Sequence, residues 1–363
     1  MKWQLEEEQV LYRESLRGWA EKAADSSKVR DWLESGDPDD FERRLVGDGW
    51  LGVGTPEECG GQGGGLLELA LTAEVLARQA APSAAWLASV IAFPGLPAEM
   101  VEKVLAGEGF IALAVDSSLP VASSFGVRVD ASGGLSGSVP RVLGADRARW
   151  LLVPAGAPGR QRLHLVDVGA AGVRVARHEL LDQSRSLADV HLDGAQGEPL
   201  AASTEEVSDF LAEAALRAAV LVSADALGAM HRMLELAVEY SLQRHQFGVP
   251  IGSFQAVKHA AASILVAVEA ARSIVYFAAA SIDADEPDCA VHAAVAKAQV
   301  ASSAVAASDA ALTMHGAIGY TWEYDLQLLY KRTWLDERLF GGSAVWNDRI
   351  ADSLALVPVA QLA

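Results

Sequence analysis

Apolar positions along this chain change their period twice, and the two changes divide it into three stretches. Up to about residue 105 the spacing is helical. Leu5, Tyr12, Leu16 and Trp19 share one face, and Leu66, Leu69, Ala73 and Leu76 repeat the pattern later. Between these runs, Pro56–Gly65 holds five glycines, which predicts a turn-rich connection without a regular element. From Gly109 to about Gly194 the period shortens. Phe110–Val115, Arg149–Val153, Leu163–Val168, Val173–His178 and Asp189–Leu192 read as short strands, separated by clusters such as Ala131–Gly134. The alternation of Val127 with Val129, and of Val173 with Val175, predicts half-buried antiparallel strands.

From Ser203 the period is helical again. Ser203 and Glu206 form a capping box, in which each side chain satisfies the other residue's orphan N–H. Ala-rich helices are predicted over Thr204–Gln243, with a kink or split near its middle, then Phe254–Asp283 and Ala290–His315, the last stopped by Gly316 and Gly319. Two shorter helices, Asp325–Phe340 and Ser343–Leu354, flank Gly341-Gly342. Ala-rich helices pack closely along their length, so the last third should be an antiparallel four-helix bundle. The expected fold is α+β: an N-terminal helical domain at 1–108, a middle antiparallel β domain at 109–202, and a C-terminal bundle at 203–363.

Composition narrows the function classes. Of 363 residues 51% are hydrophobic and 21% charged, an ordinary globular balance. The 29 basic and 48 acidic residues leave a net charge of −19, which repels phosphate backbones and anionic lipid, so neither nucleic acid nor a membrane is an expected partner. A local basic pocket for a phosphorylated ligand remains compatible with that total. Two cysteines, Cys59 and Cys289, support neither a disulfide framework nor a four-ligand metal site. The start, Met1 to Glu8, lacks the apolar run of a secretion signal, and Ala214–Met230 is interrupted by Arg217 and Asp225. No segment reads as membrane-spanning, and a cytoplasmic protein is expected.

Few segments carry candidate chemistry. In Arg244-His245-Gln246-Phe247-Gly248 the planar guanidinium suits phosphate oxygens, and the same residues also read as a helix end with a dipole-complementing cation and a glycine stop. Gly316 and Gly319 permit close backbone approach and equally end a helix. Gln255 reads by itself as a surface residue opening a helix. Gly61–Gly65 superficially suggests a dinucleotide loop, but no strand precedes it. The eight histidines, His259, His292 and His315 among them, show no metal-ligand spacing, and no Gly-x-Ser-x-Gly nucleophile motif is present.

Four motifs in order along nearly the whole chain resemble the acyl-CoA dehydrogenase flavoproteins. They are Gly49–Val53 with Pro56–Gly63; Leu135–Gly137 with Gly144-Ala145 and Leu151–Pro154; Arg244–Ile251 with Phe254-Gln255; and Met314–Tyr324. The resemblance implies N-terminal helices, a β domain and a bundle. It also implies FAD as cofactor, an acyl-CoA thioester as substrate, and an electron-transferring flavoprotein as acceptor. In such enzymes a carboxylate removes the α-proton while the β-hydrogen leaves as hydride to the flavin. Carried over by motif, the FAD contacts fall on Arg244, Gln246, Phe247, Phe254, Gln255, Met314, His315, Gly316 and Gly319. Arg244 and Phe247 would reach a neighbouring subunit's cofactor.

The departures from the pattern are as informative. The family's glutamate before a Gly-Thr pair falls, without gaps, on Phe340 ahead of Gly341-Gly342. The alternative base position on the long helix falls on Ala218 or Ala219. None of these can accept a proton, so no catalytic residue is assigned, and Glu337 and Asp336 are the nearest fallback carboxylates. The Thr-Glu-Pro…Gly-Ser-Asp loop is missing after Ala114–Ser118, and Arg141 and Leu143 stand at a flavin-flanking Trp-x-Thr pair. The chain therefore resembles the base-lacking subunit of heteromeric actinobacterial enzymes acting on steroid-derived acyl-CoAs, paired with a homologous catalytic subunit. A homotetramer with a displaced base, or a flavin-free scaffold, are the alternatives.

Overall fold

The computed structural model describes residues 4–121, 126–156 and 161–354. Met1 to Trp3 of the N-terminal stretch and the last nine residues of the 203–363 region lie outside the described residues. Six helices come first: α1 (Glu7–Ala23), α2 (Ser26–Ser35), α3 (Asp39–Gly47), α4 (Leu66–Arg78), α5 (Ala84–Ala92) and α6 (Ala98–Leu105). Leu66, Leu69, Ala73 and Leu76 of α4 are all buried, and Leu16 of α1 packs with Ala20 and Val75. The glycine-rich connection before α4 contains one short 3-10 turn, Glu57–Cys59, and an isolated bridge from Thr55 to Gly63.

The middle of the chain forms two four-stranded sheets. One runs in the order β1 (Phe110–Leu113), β4 (Ala148–Ala155), β5 (Arg162–Asp167), β8 (Glu198–Pro199). The other runs β2 (Val127–Val129), β3 (Leu135–Leu143), β7 (Leu187–Ala195), β6 (Val173–Arg177). The expectation of a wholly antiparallel domain needs one correction, because β1 and β4 pair in parallel. After β1 the chain crosses to the second sheet for β2 and β3, then returns to lay β4 beside β1 in the same direction. Strand β3 had no counterpart in the strand pattern. Gly137 and Pro140 interrupt its alternation, and its pairing with β7 shifts register between Val139 and Val142, at Arg141 with φ +51°.

Five helices follow: α7 (Thr204–Gln243), α8 (Gln255–Asp283), α9 (Cys289–His315), α10 (Leu326–Arg338) and α11 (Ser343–Ser353). The capping box forms, with Ser203 N–H donating to Glu206 Oε2 at 2.6 Å and Glu206 N–H to Ser203 Oγ at 3.1 Å. Helix α7 runs as one helix of 40 residues, which corrects the expected split. Its polar interior residues find partners instead of breaking it. Gly228 lets α7 lie against α4, since a Cβ there would fall 2.0 Å from Glu74 O. Asp283, at the end of α8, accepts the N–H groups of Leu66 and Leu67 at 2.7 and 3.0 Å and so caps α4.

A buried charge cluster joins the three stretches. Asp225 of α7 accepts from Arg332 of α10 at 2.6 and 2.8 Å and from Arg185 of the β6–β7 connection. Arg332 also donates to Ala81 O at 2.8 Å. Burial pushes Asp225 upward, but the two arginines outweigh it and hold its pKa at about 2. Burial, reinforced by Asp225, raises Asp336 well above the carboxylate range, so this second acid stays protonated.

Among the described residues α8 has the length and mean hydropathy (1.6) of a membrane-crossing helix. By length and composition it is this helix, and not Ala214–Met230, that comes nearest to a membrane span. In the fold α8 packs inward through Ile264, Val268, Ala271 and Val275, while Leu265 and Val266 stand exposed at 49% and 70%.

Candidate functional site

Two turns at chain positions singled out by sequence differ sharply in exposure. The first follows α7. Arg244 leaves the helix in extended backbone, its N–H still bonded to Tyr240 O at 2.8 Å. The two-residue strands β9 (His245–Gln246) and β10 (Val249–Pro250) then pair antiparallel. At the tip Phe247 and Gly248 have φ +54° and +81°, the two positive angles that a type I′ hairpin turn requires. Phe247 is 92% exposed and meets Phe254 edge-on at 6.1 Å between centroids. Arg244, Gln246 and Gln255 are exposed as well. The Arg244 side chain has no hydrogen-bond or ion-pair partner among the described residues, which leaves its fork open to an anion.

The Met314–Gly319 segment sits at the same end of the bundle, because Tyr240 stacks on His315 with centroids 4.8 Å apart. Met314 and His315 of this segment are buried, while Ala317 and Ile318 are exposed. His315 Nδ1 donates to Ala311 O at 2.7 Å, and Nε2 lies 3.1 Å from the Tyr324 hydroxyl, which donates to it. Burial lowers the His315 pKa, so the ring stays neutral. Met314 is buried, and a Cβ on Gly319 would meet Leu312 at 2.8 Å. Gly316 is exposed. Arg244, Gln246, Phe247, Phe254 and Gln255 are thus exposed on and beside the hairpin, Gly316 is exposed at the same end of the bundle, and Met314, His315 and Gly319 are buried.

The second turn, Phe340–Gly341, is sealed. Phe340 is 2% exposed at φ +54°. Its N–H donates to Ser117 O at 2.6 Å, and its carbonyl accepts from Trp346 Nε1 at 2.9 Å. Ser117 in turn binds the β3 edge, with its N–H on Arg141 O at 3.1 Å and its Oγ accepting Leu143 N–H at 3.1 Å. Gly341 presses against Pro120, since a Cβ there would lie 2.9 Å from the ring. Nearby, Arg141 Nη2 holds Asp116 at 2.6 Å. Partial burial raises Asp116, yet Arg141 and Ser118 win and keep it below the usual range. The segment after β1 therefore lies directly on the turn that carries Phe340.

The fallback carboxylates are engaged elsewhere. Glu337 Oε1 accepts the Ser343 N–H at 3.1 Å, and Oε2 holds Arg338 at 2.9 Å, so it caps α11. Asp336 is fully buried in the ion cluster. Lys297, also buried, donates to the carbonyls of Asp336 and Glu337 at 2.9 and 3.1 Å, and burial lowers its pKa to about 8. Ala218 and Ala219 are fully buried. A cavity of about 280 Å³ lies one turn before them, walled by Leu69, Val90, Phe93 and Val101 with Glu213 and Arg217 of α7. Such a cavity can take an apolar chain but offers no free base.

Sequence reasoning missed Ser117, Pro120 and Trp346 as the closing contacts. Their partners are distant in the chain, and no local pattern marks them. The ion cluster had one visible signal, Asp225 inside an apolar helical run. A polar residue at a core position demands a partner.

Comparison with known proteins points in one direction. Residues 6–104 match the family model for the acyl-CoA dehydrogenase N-terminal domain, and residues 211–355 that for the C-terminal domain. The chain is 34% identical over 356 residues to acyl-CoA dehydrogenase FadE34 of Mycobacterium tuberculosis, covering 95% of this chain but 47% of that protein, about half its length. It is 31% identical over 344 residues to acyl-CoA dehydrogenase IpdE2 of Mycolicibacterium smegmatis, covering 93% and 96% of the two chains. Among solved structures, a Tcur3481-Tcur3483 steroid ACAD variant superposes with a TM-score of 0.83 at 25% identity, over 95% of this chain and 97% of that one. A chain of the ChsE4-ChsE5 complex from Mycobacterium tuberculosis gives 0.84 at 23% identity over 99% and 100%, a likeness of fold.

Proposed function

This chain belongs to the acyl-CoA dehydrogenase family, and from that premise we propose that it is the base-lacking subunit of a heteromeric enzyme, completing the FAD site of a homologous catalytic partner. The observation that carries the reading is the sealed turn. The family's base position holds a phenylalanine whose backbone is bonded to Ser117 on one side and Trp346 on the other. Proton abstraction from a thioester's α-carbon needs a titratable acceptor, and that position supplies none.

The outward surface fits the cofactor in a different way. FAD carries a pyrophosphate and flat rings, and when bound it accepts the hydride of the reaction. The unpartnered Arg244 fork would hold phosphate oxygens. Phe247 and Phe254, standing in solvent as a pair, would cover a ring face. Gly316 leaves room for the backbone to approach, with Met314, His315 and Gly319 fixing its position, and Gln246 and Gln255 offer amides at the rim. Since Arg244, Gln246, Phe247, Phe254, Gln255 and Gly316 are exposed and not turned into the chain's own core, they would serve a site on another subunit. The apolar Leu265 and Val266 on the open face of α8 also favour an assembly. The substrate class is an acyl-CoA, of steroid origin by likeness to the steroid ACAD neighbour. Electrons would pass to an electron-transferring flavoprotein.

The test is to purify the chain alone and co-expressed with a catalytic acyl-CoA dehydrogenase subunit, and to count flavin in each. The lone chain should carry little flavin absorbance and no dehydrogenase activity. In the complex, Arg244→Ala should weaken FAD binding by about tenfold or more, the worth of a charge-assisted hydrogen bond. Stoichiometric FAD with turnover by the lone chain would refute the proposal.

A further inference from the structure

We propose that Tyr240, His315 and Tyr324 form a brace that sets the direction of the 244–250 hairpin, so that His315 and Tyr324 are positioning residues for the Arg244 guanidinium. What Arg244 then holds, the FAD of a partner subunit, rests on the subunit reading above. The hairpin itself shows the need for a brace. Residues 242–249 are exposed throughout, so it has little packing of its own beyond Phe247 on Phe254. Its base hangs on the last turn of α7, where Arg244 N–H donates to Tyr240 O and Ile251 N–H to Arg244 O, both at 2.8 Å. Gly252 lies against the same turn, since a Cβ there would fall 3.1 Å from Ser241 O. The direction of the hairpin is therefore the direction of that turn.

Tyr240 fixes the turn through its ring. It stacks on His315 with centroids 4.8 Å apart and planes 22° from parallel, and meets Tyr324 edge-on at 6.3 Å. His315 and Tyr324 lie 5.0 Å apart, which closes a triangle of rings. The three residues come from the end of α7, the end of α9 and the connection before α10. That connection is tied down from another side as well. Arg30 of α2 donates to Trp322 O at 2.9 Å and to Asp325 Oδ1 at 2.6 Å.

Hydrogen bonds give the brace one orientation. Burial lowers the His315 pKa and raises that of Tyr324, so the imidazole is neutral and the hydroxyl keeps its proton. His315 Nδ1 then donates to Ala311 O at 2.7 Å, and Nε2 accepts from the Tyr324 hydroxyl at 3.1 Å. An apolar side chain at 315 would fill the space without this constraint. A buried polar ring with both nitrogens paired specifies a single arrangement.

The experiment compares Tyr324→Phe, which keeps the ring and removes the hydroxyl, with Tyr330→Phe, which breaks a hydroxyl bond to Asp309 outside the brace. Hydrogen exchange is read first, on the full chain alone. In Tyr324→Phe the amides of Arg244 and Ile251 should lose protection by about two- to tenfold, the net worth of one hydrogen bond. Amides in the buried middle of α7, around Leu227, should keep theirs, and Tyr330→Phe should leave the hairpin unchanged. FAD titration of the complex with a catalytic subunit, followed by flavin fluorescence, should show a loss of affinity of similar size in Tyr324→Phe. In an Arg244→Ala background the same substitution should add nothing, because its effect passes through Arg244. Unchanged hairpin protection, or an equal loss around Leu227, overturns the brace. So does an FAD affinity that Tyr324→Phe leaves intact, or weakens just as much without Arg244, while Arg244→Ala alone weakens it. Full FAD affinity in Arg244→Ala alone would instead sink the subunit reading, and the positioning role with it.

Discussion

Phe247 and Phe340 adopt the same uncommon backbone, φ +54° in each, and the fold treats them in opposite ways. Phe340 is 2% exposed and fastened at both its N–H and its carbonyl, whereas Phe247 is 92% exposed at the tip of a hairpin. A bulky residue in left-handed backbone costs about 1–3 kcal/mol, and such strain persists where the surroundings over-determine it. At Phe340 the compensation is visible within the chain: packing, Ser117 and Trp346. At Phe247 the chain offers the Phe254 edge contact and little more. Under the proposed subunit role the compensation for the exposed ring would come from a partner, whereas at Phe340 the chain supplies its own.

The buried ion cluster is anchored on α10, the helix that leads into the closed turn, and removing its centre has the largest expected effect. Asp225→Ala strands two buried arginines, and breaking a buried pair costs about 3–5 kcal/mol, measured as the loss in urea unfolding free energy. A change below about 1 kcal/mol, the ordinary effect of a point mutation, would mean that the cluster contributes little to the fold. The pH dependence has two opposing parts. Asp225, depressed to about 2, contributes stability that is complete above the ordinary carboxylate range and is lost as pH falls toward 2. Asp336 is raised, so its contribution is present at low pH and is lost as pH rises through its elevated value. Asp336→Asn should therefore remove the high-pH decline and leave the acid limb in place.

The cluster also marks the boundary of what was legible from sequence. Helix limits read well: Thr204–Gln243 and its capping box are local consequences of spacing and of two side chains three residues apart. The motif segments that carry Arg244 and Phe340 were legible because each is contiguous. The parallel pairing of β1 with β4 was not, since nothing local says that a chain will leave one sheet and return to it. Strand β3 was hidden because the bulge at Arg141 breaks the alternation by which strands are found. The closure of Phe340 by Ser117 and the meeting of Arg185 with Asp225 and Arg332 join residues from distant parts of the chain. Only folding brings them into one place.

A smaller effect tests the seal itself. Gly341 has φ +95°, and a Cβ there would fall 2.9 Å from Pro120. Gly341→Ala should cost about 1–3 kcal/mol from overpacking in addition to the backbone preference. The loss should appear mainly as destabilisation of the isolated chain, seen in its melting temperature. If the variant is as stable as the parent, the turn is not tightly closed and the contrast with the hairpin weakens.

The smallest stability change carries the sharpest contrast, because it should have the opposite sign in two measurements. Phe247→Asn places Asn-Gly at a hairpin tip whose two central residues both have positive φ, the pair that a type I′ turn favours most. Asparagine tolerates left-handed backbone, and the ring it replaces is 92% exposed, so little packing is lost. The isolated chain should become more stable by roughly 0.5–1 kcal/mol, the scale of relieved backbone strain less the edge contact with Phe254. The same substitution should weaken FAD retention in the complex with a catalytic subunit, since the ring is the part offered to a neighbour. Destabilisation of the lone chain would instead show that Phe247 serves its own fold. The strained phenylalanine would then be a second structural turn, equivalent to Phe340.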